Sequence, residues 1–298
     1  QLFHESDDAV LNYLTEDGQS IEPTWYMPVL PMVLVNGAHG IGTGWSTDVP
    51  CYNPRDIVDN IRRLMNHEVM EPMHPWFRGF KGQIELQVSK KGDISYTMHG
   101  IYEKVDDTTL VITELPVNKW TQQYKEFLES LLDTEGGKKE PFIKAYREYH
   151  TDTTVHFEVT MPEKSMREAE EVGIAKKFQL TRSLAVSNMH LFSHDGVITK
   201  YDNPEAILRD FYDLRLQYYG VRKAHMEKEL ARQLSVLDNK CRFIREVVEG
   251  TLVVSNRKKA DIVADLHARG YTPVLKDKKE KVAGGADGAD EEEPEEEA

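Results

Sequence analysis

The stretch GQIELQVS, residues 82–89, alternates apolar and polar side chains, and GDISYTMHG (92–100) and TTLVITELP (108–116) repeat that alternation. A period of two places successive side chains on opposite faces of a strand, and the glycines that bound these runs mark turns. The three runs therefore predict strands. Helical patterns interrupt the strands without forming a repeating βαβ unit, which favours an α+β domain with mainly antiparallel pairing.

Shorter patterns on either side predict further elements. Asn53 followed by Pro54 is typical of a helix start, because asparagine caps helices and proline suits the first helical position. Pro28 and Pro31 lack the N–H groups that a central strand needs, so a buried strand or extended segment is expected only in MVLV, residues 32–35. The remaining assignments before residue 192 are a short helical or turn-rich piece at 7–19, a helix from about Thr121, a strand within 151–162, a short helix at 166–173 and strand character within 178–192. Those after it are a hairpin-like turn at 194–203, a strand-like run at 251–255 and a helix at 258–270.

A long helix is predicted between Pro204 and Val248, because no proline intervenes and apolar side chains recur at spacings of four and three. This is coiled-coil spacing, and its register slips between Gly220 and Met226, where the seam must rotate or bend. A helix of about 45 residues would be on the order of 65 Å long and needs a partner helix from this chain or another. The seam positions are Ile207, Phe211, Leu214, Tyr218, Val221 and His225, then Leu230, Leu234, Leu237, Cys241, Ile244 and Val248.

Composition excludes several classes of protein. The 298 residues suffice for one large domain or two ordinary ones, and no apolar run approaches the ~20 residues that cross a bilayer. Two isolated cysteines, Cys51 and Cys241, build neither a disulfide framework nor a zinc cluster. Much of the net charge of −14 lies in the acidic tail at 287–298, which is expected to be disordered. Residues 1–50 lack Lys and Arg, so any polyanion there must meet backbone amides and apolar side chains, or lie beside a basic surface of a partner.

The glycine-rich stretch VNGAHGIGTGWST, residues 35–47, holds Ile41 at its centre. It lacks the lysine of a phosphate-binding P-loop, and its glycine spacing differs from the GxGxxG of dinucleotide-binding folds. Two interpretations remain. Either the glycines form a tight turn that directs Ile41 into the core, or they admit a phosphate chain while Ile41 points outward as a wedge between DNA bases. Composition leaves both open.

Several separated blocks of the sequence resemble one family. PMVLVNGAHGIGTGWST and the following NPRDIVDNIRRLM resemble the segment after the winged helix in eukaryotic DNA topoisomerase II, a type IIA enzyme. The likeness continues in order, up to about Thr272, through FKGQIE, ELPVNKWTQQYKE, YREYHTDTTVHFEV, SLAVSNMHLF, KYDNPEAILRDFYDLRLQYYGVRK and ARGY. Bacterial gyrase-like enzymes are the near rival, but residues 108–192 match the eukaryotic type better.

The resemblance implies roles for particular residues. Ile41 would insert between base pairs and bend the gate DNA, and Trp120 would lie against DNA. Where the family is expected to have an acidic residue, this chain has His39, which would strengthen DNA contact slightly and make it more pH-sensitive, unless it is an inert surface residue. Without the family, Trp120 would be interpreted as packed at a strand–helix junction. The resemblance also assigns DNA contact to a segment that would otherwise be a loop or an edge strand: Gln179, Leu180, Thr181, Arg182, Ser183, Leu184, Ala185, Val186, Ser187 and Asn188.

No catalytic residue is assigned. The family's nucleophile is a tyrosine that follows an arginine in the winged helix, and none of the 13 tyrosines here follows an arginine. The resemblance therefore implies an internal fragment, downstream of that tyrosine, which cleaves nothing alone. The Mg²⁺ and ATP of the whole enzyme would bind outside this chain.

The resemblance also implies an organisation. The whole enzyme would be a nuclear, ATP-dependent homodimer that passes one DNA duplex through a transient double-strand break in another, and this fragment would bind and bend the cleaved duplex and link it to the exit gate. The alternative is a non-enzymatic DNA-architectural or coiled-coil scaffold protein with the same elements. The expected parts are the end of a winged-helix region at 1–50, an α+β tower domain at 51–202, a coiled-coil helix at 203–249, the start of a C-terminal dimer gate at 250–275 and a disordered tail at 276–298.

Overall fold

The computed structural model describes residues 2–89, 92, 94–132 and 140–273. The acidic tail predicted at 276–298 lies outside these residues. No helix in the described ranges combines the length and apolar character needed to cross a membrane. The helices are α1 (Glu5–Asp8), α2 (Met32–Asn36), α3 (Pro54–Met65), α4 (Thr121–Leu132), α5 (Glu163–Val172), α6 (Ile174–Lys177), α7 (Pro204–Val248) and α8 (Lys259–Ala268). The strands are β1 (Tyr13–Glu16), β2 (Gln19–Pro23), β3 (Ala38–Ile41), β4 (Ser46–Val49), β5 (Gln83–Val88), β6 (Ile94–His99), β7 (Ile101–Lys104), β8 (Thr109–Glu114), β9 (Ala145–Glu148), β10 (Phe157–Thr160), β11 (Thr181–Ala185), β12 (Met189–Phe192) and β13 (Ile198–Tyr201).

The strands form small sheets with antiparallel pairing. A four-stranded sheet has the order β7-β8-β10-β9, a three-stranded sheet has the order β11-β6-β5, and β1–β2, β3–β4 and β12–β13 are two-stranded. Every pairing in the two larger sheets, in β3–β4 and in β12–β13 is antiparallel. The predicted mixed, mainly antiparallel class is therefore confirmed. Sequence patterns missed β7 and β9, because these edge strands are mostly exposed and lack apolar alternation.

The larger core lies on the four-stranded sheet. Leu110 and Ile112 of β8 share a face with Phe157 and Val159 of β10, because the register pairs Leu110 with Val159 and Ile112 with Phe157. All four side chains are fully buried, as period-two alternation requires, and side chains from α4, α5 and α6 cover them. This core fixes the junction between β8 and α4, where Trp120 lies.

A second core lies beneath the glycine-rich stretch. Helix α3, which contributes to this core, begins as predicted, since the Asn53 side chain accepts a hydrogen bond from the Arg55 N–H at 3.0 Å and Pro54 occupies the first position. The first turns of α7 pack on the same core, which fixes the end of β4. Its buried members are Leu34, Val49, Tyr52, Ile57, Met73, Met189, Ile207 and Leu208.

Two predicted strands are wrong. MVLV forms the one-turn helix α2, in which the Leu34 N–H donates to the Pro31 carbonyl at 3.0 Å. A strand would direct Val33 and Val35 away from Leu34, whereas all three pack on the second core. The run at 251–255 is a turn, because the N–H groups of Thr251 and the next residue both donate to the Glu246 carbonyl and bring the chain back onto the end of α7.

The secondary structure of residues 7–19 also differs in part from the prediction. The prediction is a short helical or turn-rich piece, whereas the structure has the end of the one-turn helix α1 followed by strand β1 and the turn of the β1–β2 hairpin. Asp17 and Gly18 at the hairpin turn both have positive φ, of 50° and 77°, and this conformation suits short polar residues and glycine.

The long helix is confirmed. Helix α7 runs for 45 residues from Pro204 to Val248 and continues without interruption through Gly220, where the seam register slips. Its seam is exposed at Leu230, Leu234 and Ile244, among other positions. The described residues divide into two compact units, one comprising residues up to Glu5 and Leu14–Leu216, the other comprising Ser6–Tyr13 and the chain from Gln217 onward.

The second unit contains the distal part of α7 together with α8. Arg269 forms an ion pair with Glu246 at 3.0 Å, and the Arg242 guanidinium lies 4.4 Å from the centre of the Tyr271 ring. The two guanidinium groups hold the pKa of Glu246 below its ordinary value, although desolvation by burial, the largest influence, acts in the opposite direction. These polar contacts fix the turn that follows α7.

Candidate nucleic-acid interface

The glycine-rich stretch forms a hairpin, which we call the Ile41 hairpin, from Ala38 to Val49. Its strands β3 and β4 pair with Ile41 opposite Ser46 and with Ala38 opposite Val49. Ala38 and Val49 pack on the second core, whereas Ile41, at the far end of β3, is 91% exposed. The alternative in which Ile41 turns into the core is therefore wrong.

The glycines of this hairpin have different local functions. Gly37 has a φ of +70°, and a Cβ there would lie 2.7 Å from a backbone oxygen of β4, so the hairpin base requires glycine. At Gly42 a Cβ would lie 2.7 Å from the Trp45 indole nitrogen, and Gly44 has a φ of +84°. Gly40 has neither a positive φ nor any atom within 4 Å of where a Cβ would stand. Three of the four glycines are thus required by the hairpin itself, and clearance for a ligand is an explanation only for Gly40.

The outward face of the hairpin has little positive charge. Alternation along β3 places His39 on the same face as Ile41, and the register places Asp48 opposite His39. The His39 Nδ1 lies 3.5 Å from the Asp48 Oδ1. The histidine therefore has a carboxylate beside it, and any polyanion at this face would need cations from other segments.

The segment 179–188 lies along one edge of the three-stranded sheet. Strand β11 pairs with β6 on one side only and forms the sheet edge, so the edge-strand interpretation of this segment holds. Leu180 is fully buried in the larger core, and Val186 packs on the second core. The side chains that reach the surface are those of Gln179, Arg182 and Ser183, with Ala185 and Ser187 following.

Residues 117–120 contact the start of this segment. The Lys119 Nζ donates to the Gln179 Oε1 at 2.6 Å, and the Arg182 guanidinium donates to the Asn118 carbonyl at 2.8 Å. Trp120 is 68% exposed beside them. The fold therefore brings together two DNA-contact sites that the resemblance assigns from distant parts of the sequence, Trp120 and residues 179–188.

Lys119 is a candidate site residue that was not among those assigned to DNA from the sequence. Burial, and then the charge of Arg182, lower its pKa from the ordinary lysine value. Within the described part of the chain, neither Lys119 nor Arg182 forms an ion pair, since the acceptors of both are neutral oxygens. The one feature of the sequence that could have indicated Lys119 was its position next to Trp120. Two cations without a carboxylate partner, beside an exposed indole, form a site that suits phosphate and an adjacent base or sugar.

The other end of the segment contacts the Ile41 hairpin. The Asn188 Nδ2 donates to the Ser46 Oγ at 2.9 Å, and the Asp48 N–H donates to the Asn188 carbonyl at 2.8 Å. Residues 179–188 therefore connect residues 117–120 to the Ile41 hairpin and span at most about 30 Å. This length corresponds to roughly nine base-pair steps of duplex DNA.

The described residues offer no obvious centre for bond cleavage. They contain no group of three or more His, Cys, Asp or Glu placed to hold a metal ion. Burial is the main factor that raises the pKa of Tyr52, Tyr124 and Tyr201, whereas an attacking phenolate needs a lowered pKa.

Comparison with known proteins decides the family. Residues 1–283 match the family model that describes the A subunit of DNA gyrase/topoisomerase IV. The chain belongs to the type II DNA topoisomerases. It is similar to DNA topoisomerase 2 of Arabidopsis thaliana, with 52% identity over 99% of this chain, and to DNA topoisomerase 2-alpha of Rattus norvegicus, with 47% identity over 91%. The eukaryotic resemblance is thereby confirmed.

A solved topoisomerase structure has the same fold. The DNA-binding, cleavage and re-ligation domain of Plasmodium falciparum topoisomerase II matches with a TM-score of 0.81 and 42% identity, covering 91% of this chain and 36% of that one. The chain spans about a fifth of the length of the curated relatives, at 20% of the Arabidopsis protein and 17% of the rat protein.

Proposed function

We propose that this chain is the part of an ATP-dependent type II topoisomerase that binds and bends the duplex which the enzyme cleaves. The whole enzyme would pass a second duplex through the break. The observation that carries the proposal is Ile41, an apolar side chain 91% exposed at the end of a hairpin whose base is fixed in a core. The similar Plasmodium structure is a DNA-binding, cleavage and re-ligation domain, which supports the same assignment.

In this proposal Ile41 enters the stack between two base pairs. Unstacking one step costs a few kcal/mol, and burial of an isoleucine side chain returns about 1.5–3 kcal/mol of it. The remainder would come from contacts that form only on a bent duplex. An isoleucine that is almost fully exposed in the described structure thereby gains apolar neighbours in the complex.

The flank of the same duplex would follow the segment from the Ile41 hairpin to Trp120. Lys119 and Arg182 would contact phosphates, and Trp120 would pack on a sugar or base. Ser183 and Ser187 would donate hydroxyl groups to phosphate oxygens. Leu180 is excluded from this proposed contact set because its side chain is in the core. Phosphate contact positions the duplex without reading its sequence, which suits an enzyme that acts throughout a genome.

The finer organisation is part of the proposal. Residues 1–50 would end a winged-helix region, 51–202 would form the tower domain, 203–249 the outgoing coiled-coil helix and 250–275 the start of a dimer gate. The exposed seam of α7 supports a coiled coil, since Leu and Ile at coiled-coil spacing need a partner helix. The enzyme would be a nuclear homodimer.

Magnesium and ATP would be held by other parts of the enzyme. The donor groups here do not fit a Mg²⁺ site, because the described residues contain no cluster of three potential ligands. The glycine-rich stretch does not fit ATP either, because its glycines shape the hairpin and no lysine accompanies them.

The test is relaxation of supercoiled DNA by the complete gene product, with and without Ile41→Ala. Relaxation should need ATP and Mg²⁺, and Ile41→Ala should slow it at least about tenfold by removing the wedge's burial. Val69→Ala is the matched control, because Val69 is an apolar residue 86% exposed outside the hairpin. A gene product that binds and bends DNA but never relaxes it would instead support the architectural alternative.

A further inference from the structure

The loop that follows Ile41 is held in place by its own tryptophan. Residues 42–45 connect the two strands, and the Gly42 N–H donates to the Trp45 carbonyl at 2.8 Å. The Trp45 indole also lies directly on Gly42, since a Cβ on Gly42 would be 2.7 Å from its ring nitrogen. Trp45 thus covers the backbone of the residue next to Ile41.

A residue from another hairpin supports that tryptophan. The rings of Trp45 and Phe192 lie edge to face, with 5.7 Å between their centres and an interplanar angle of 83°. Phe192 ends β12, and the chain just before it contacts β4, where the His190 N–H donates to the Thr47 Oγ1 at 3.3 Å. The Ile41 hairpin is therefore supported from its β4 side by the segment 188–192.

The loop needs this support because two of its four residues are glycines. Gly44 has a positive φ and Gly42 has no side chain, so the backbone alone offers little resistance to movement. A wedge that unstacks bases must bear a free-energy cost of a few kcal/mol per step without yielding. Side chains locked by packing supply such rigidity.

We propose that Phe192 is a positioning residue for DNA bending, which holds Trp45 over Gly42 and so keeps Ile41 aimed at the base stack. Phe192 need not touch a base for this function. The inference rests on the proposed role of Ile41. It assigns a bending function to a residue far from the glycine-rich stretch in sequence.

The test compares Phe192→Ala with Phe192→Tyr and Val197→Ala in the complete enzyme. Val197 is the matched control, because it is an exposed apolar residue of the same β12–β13 hairpin, and Phe192 itself is 63% exposed, so its truncation opens no core. The bent fraction of a duplex labelled at both ends is read by energy transfer at saturating protein, and DNA affinity is read by anisotropy.

Phe192→Ala should lower the ratio of bent to unbent duplex about 3- to 10-fold, because this factor corresponds to the free energy of one edge-to-face ring pair. Phe192→Tyr should restore bending, and Val197→Ala should leave it unchanged. Wild-type bending in Phe192→Ala, alongside lost bending in Ile41→Ala, would overturn the inference and leave the proposed function intact. Wild-type bending in Ile41→Ala would overturn the proposed function itself.

Discussion

Replacing Lys119 with Gln should reduce the salt dependence of DNA binding by one phosphate contact. Lys119 has no carboxylate partner among the described residues, and its Nζ is held by the Gln179 amide oxygen at 2.6 Å. Its charge is therefore available to a phosphate. Each neutralised phosphate contributes about 0.9 to the slope of log affinity against log salt. Over a fourfold increase in salt, the variant should lose about 3.5-fold less affinity than the parent.

The assay is fluorescence anisotropy of a short labelled duplex with the complete gene product, titrated at several salt concentrations. Arg62→Gln is the control, because Arg62 already pairs with Asp59 at 3.3 Å on α3. Lys119→Arg should keep the slope. If Lys119→Gln and the parent have the same slope, Lys119 does not contact phosphate and the proposed path of the duplex past Trp120 is wrong.

Further predictions concern stability and charge. Tyr124→Phe removes the hydroxyl that donates to the buried Phe178 carbonyl at 2.9 Å and should lower the free energy of unfolding by about 1–3 kcal/mol, measured with urea. Gly37→Ala places a Cβ 2.7 Å from the Val49 carbonyl oxygen at a φ of +70° and should cost about 1–3 kcal/mol, measured by thermal unfolding. His39→Glu adds a negative charge beside the phosphates and should weaken DNA affinity up to about 5-fold at low salt, measured by anisotropy.

Matched variants make these outcomes decisive. Gly40→Ala should be tolerated, because a Cβ there would meet nothing within 4 Å, and equal losses at both glycines would refute the packing argument. His39→Gln should bind DNA more tightly than His39→Glu. Unchanged urea unfolding in Tyr124→Phe would mean that the Phe178 carbonyl finds another donor.

Much of the fold could be predicted where a pattern was long or had an unambiguous cap. The alternation in 82–116 gave β5, β6 and β8, and the Asn53–Pro54 pair gave the start of α3. The spacing from Pro204 to Val248 gave α7 at its full 45 residues. The strand prediction for MVLV was wrong because four apolar residues suit a helical turn as well as a strand. The shape of the second core decides between the two.

The candidate site was predictable in its parts but not in its arrangement. Composition left the direction of Ile41 undecided, because that direction depends on which side chains of the hairpin meet the core. Lys119 and Gln179 are 60 residues apart, and their contact arises only from packing of the strand–helix junction against β11. Trp45 and Phe192 are brought together in the same way by β4 and β12.

The most direct test of the account is the bend angle of DNA bound by the Ile41→Ala variant of the complete enzyme. A duplex labelled at both ends is saturated with protein, and its end-to-end distance is measured by energy transfer. Loss of one isoleucine side chain from the base stack should reduce the ratio of bent to unbent duplex about 10- to 100-fold, with DNA still bound. An end-to-end distance equal to that of the parent complex would show that Ile41 is not the wedge.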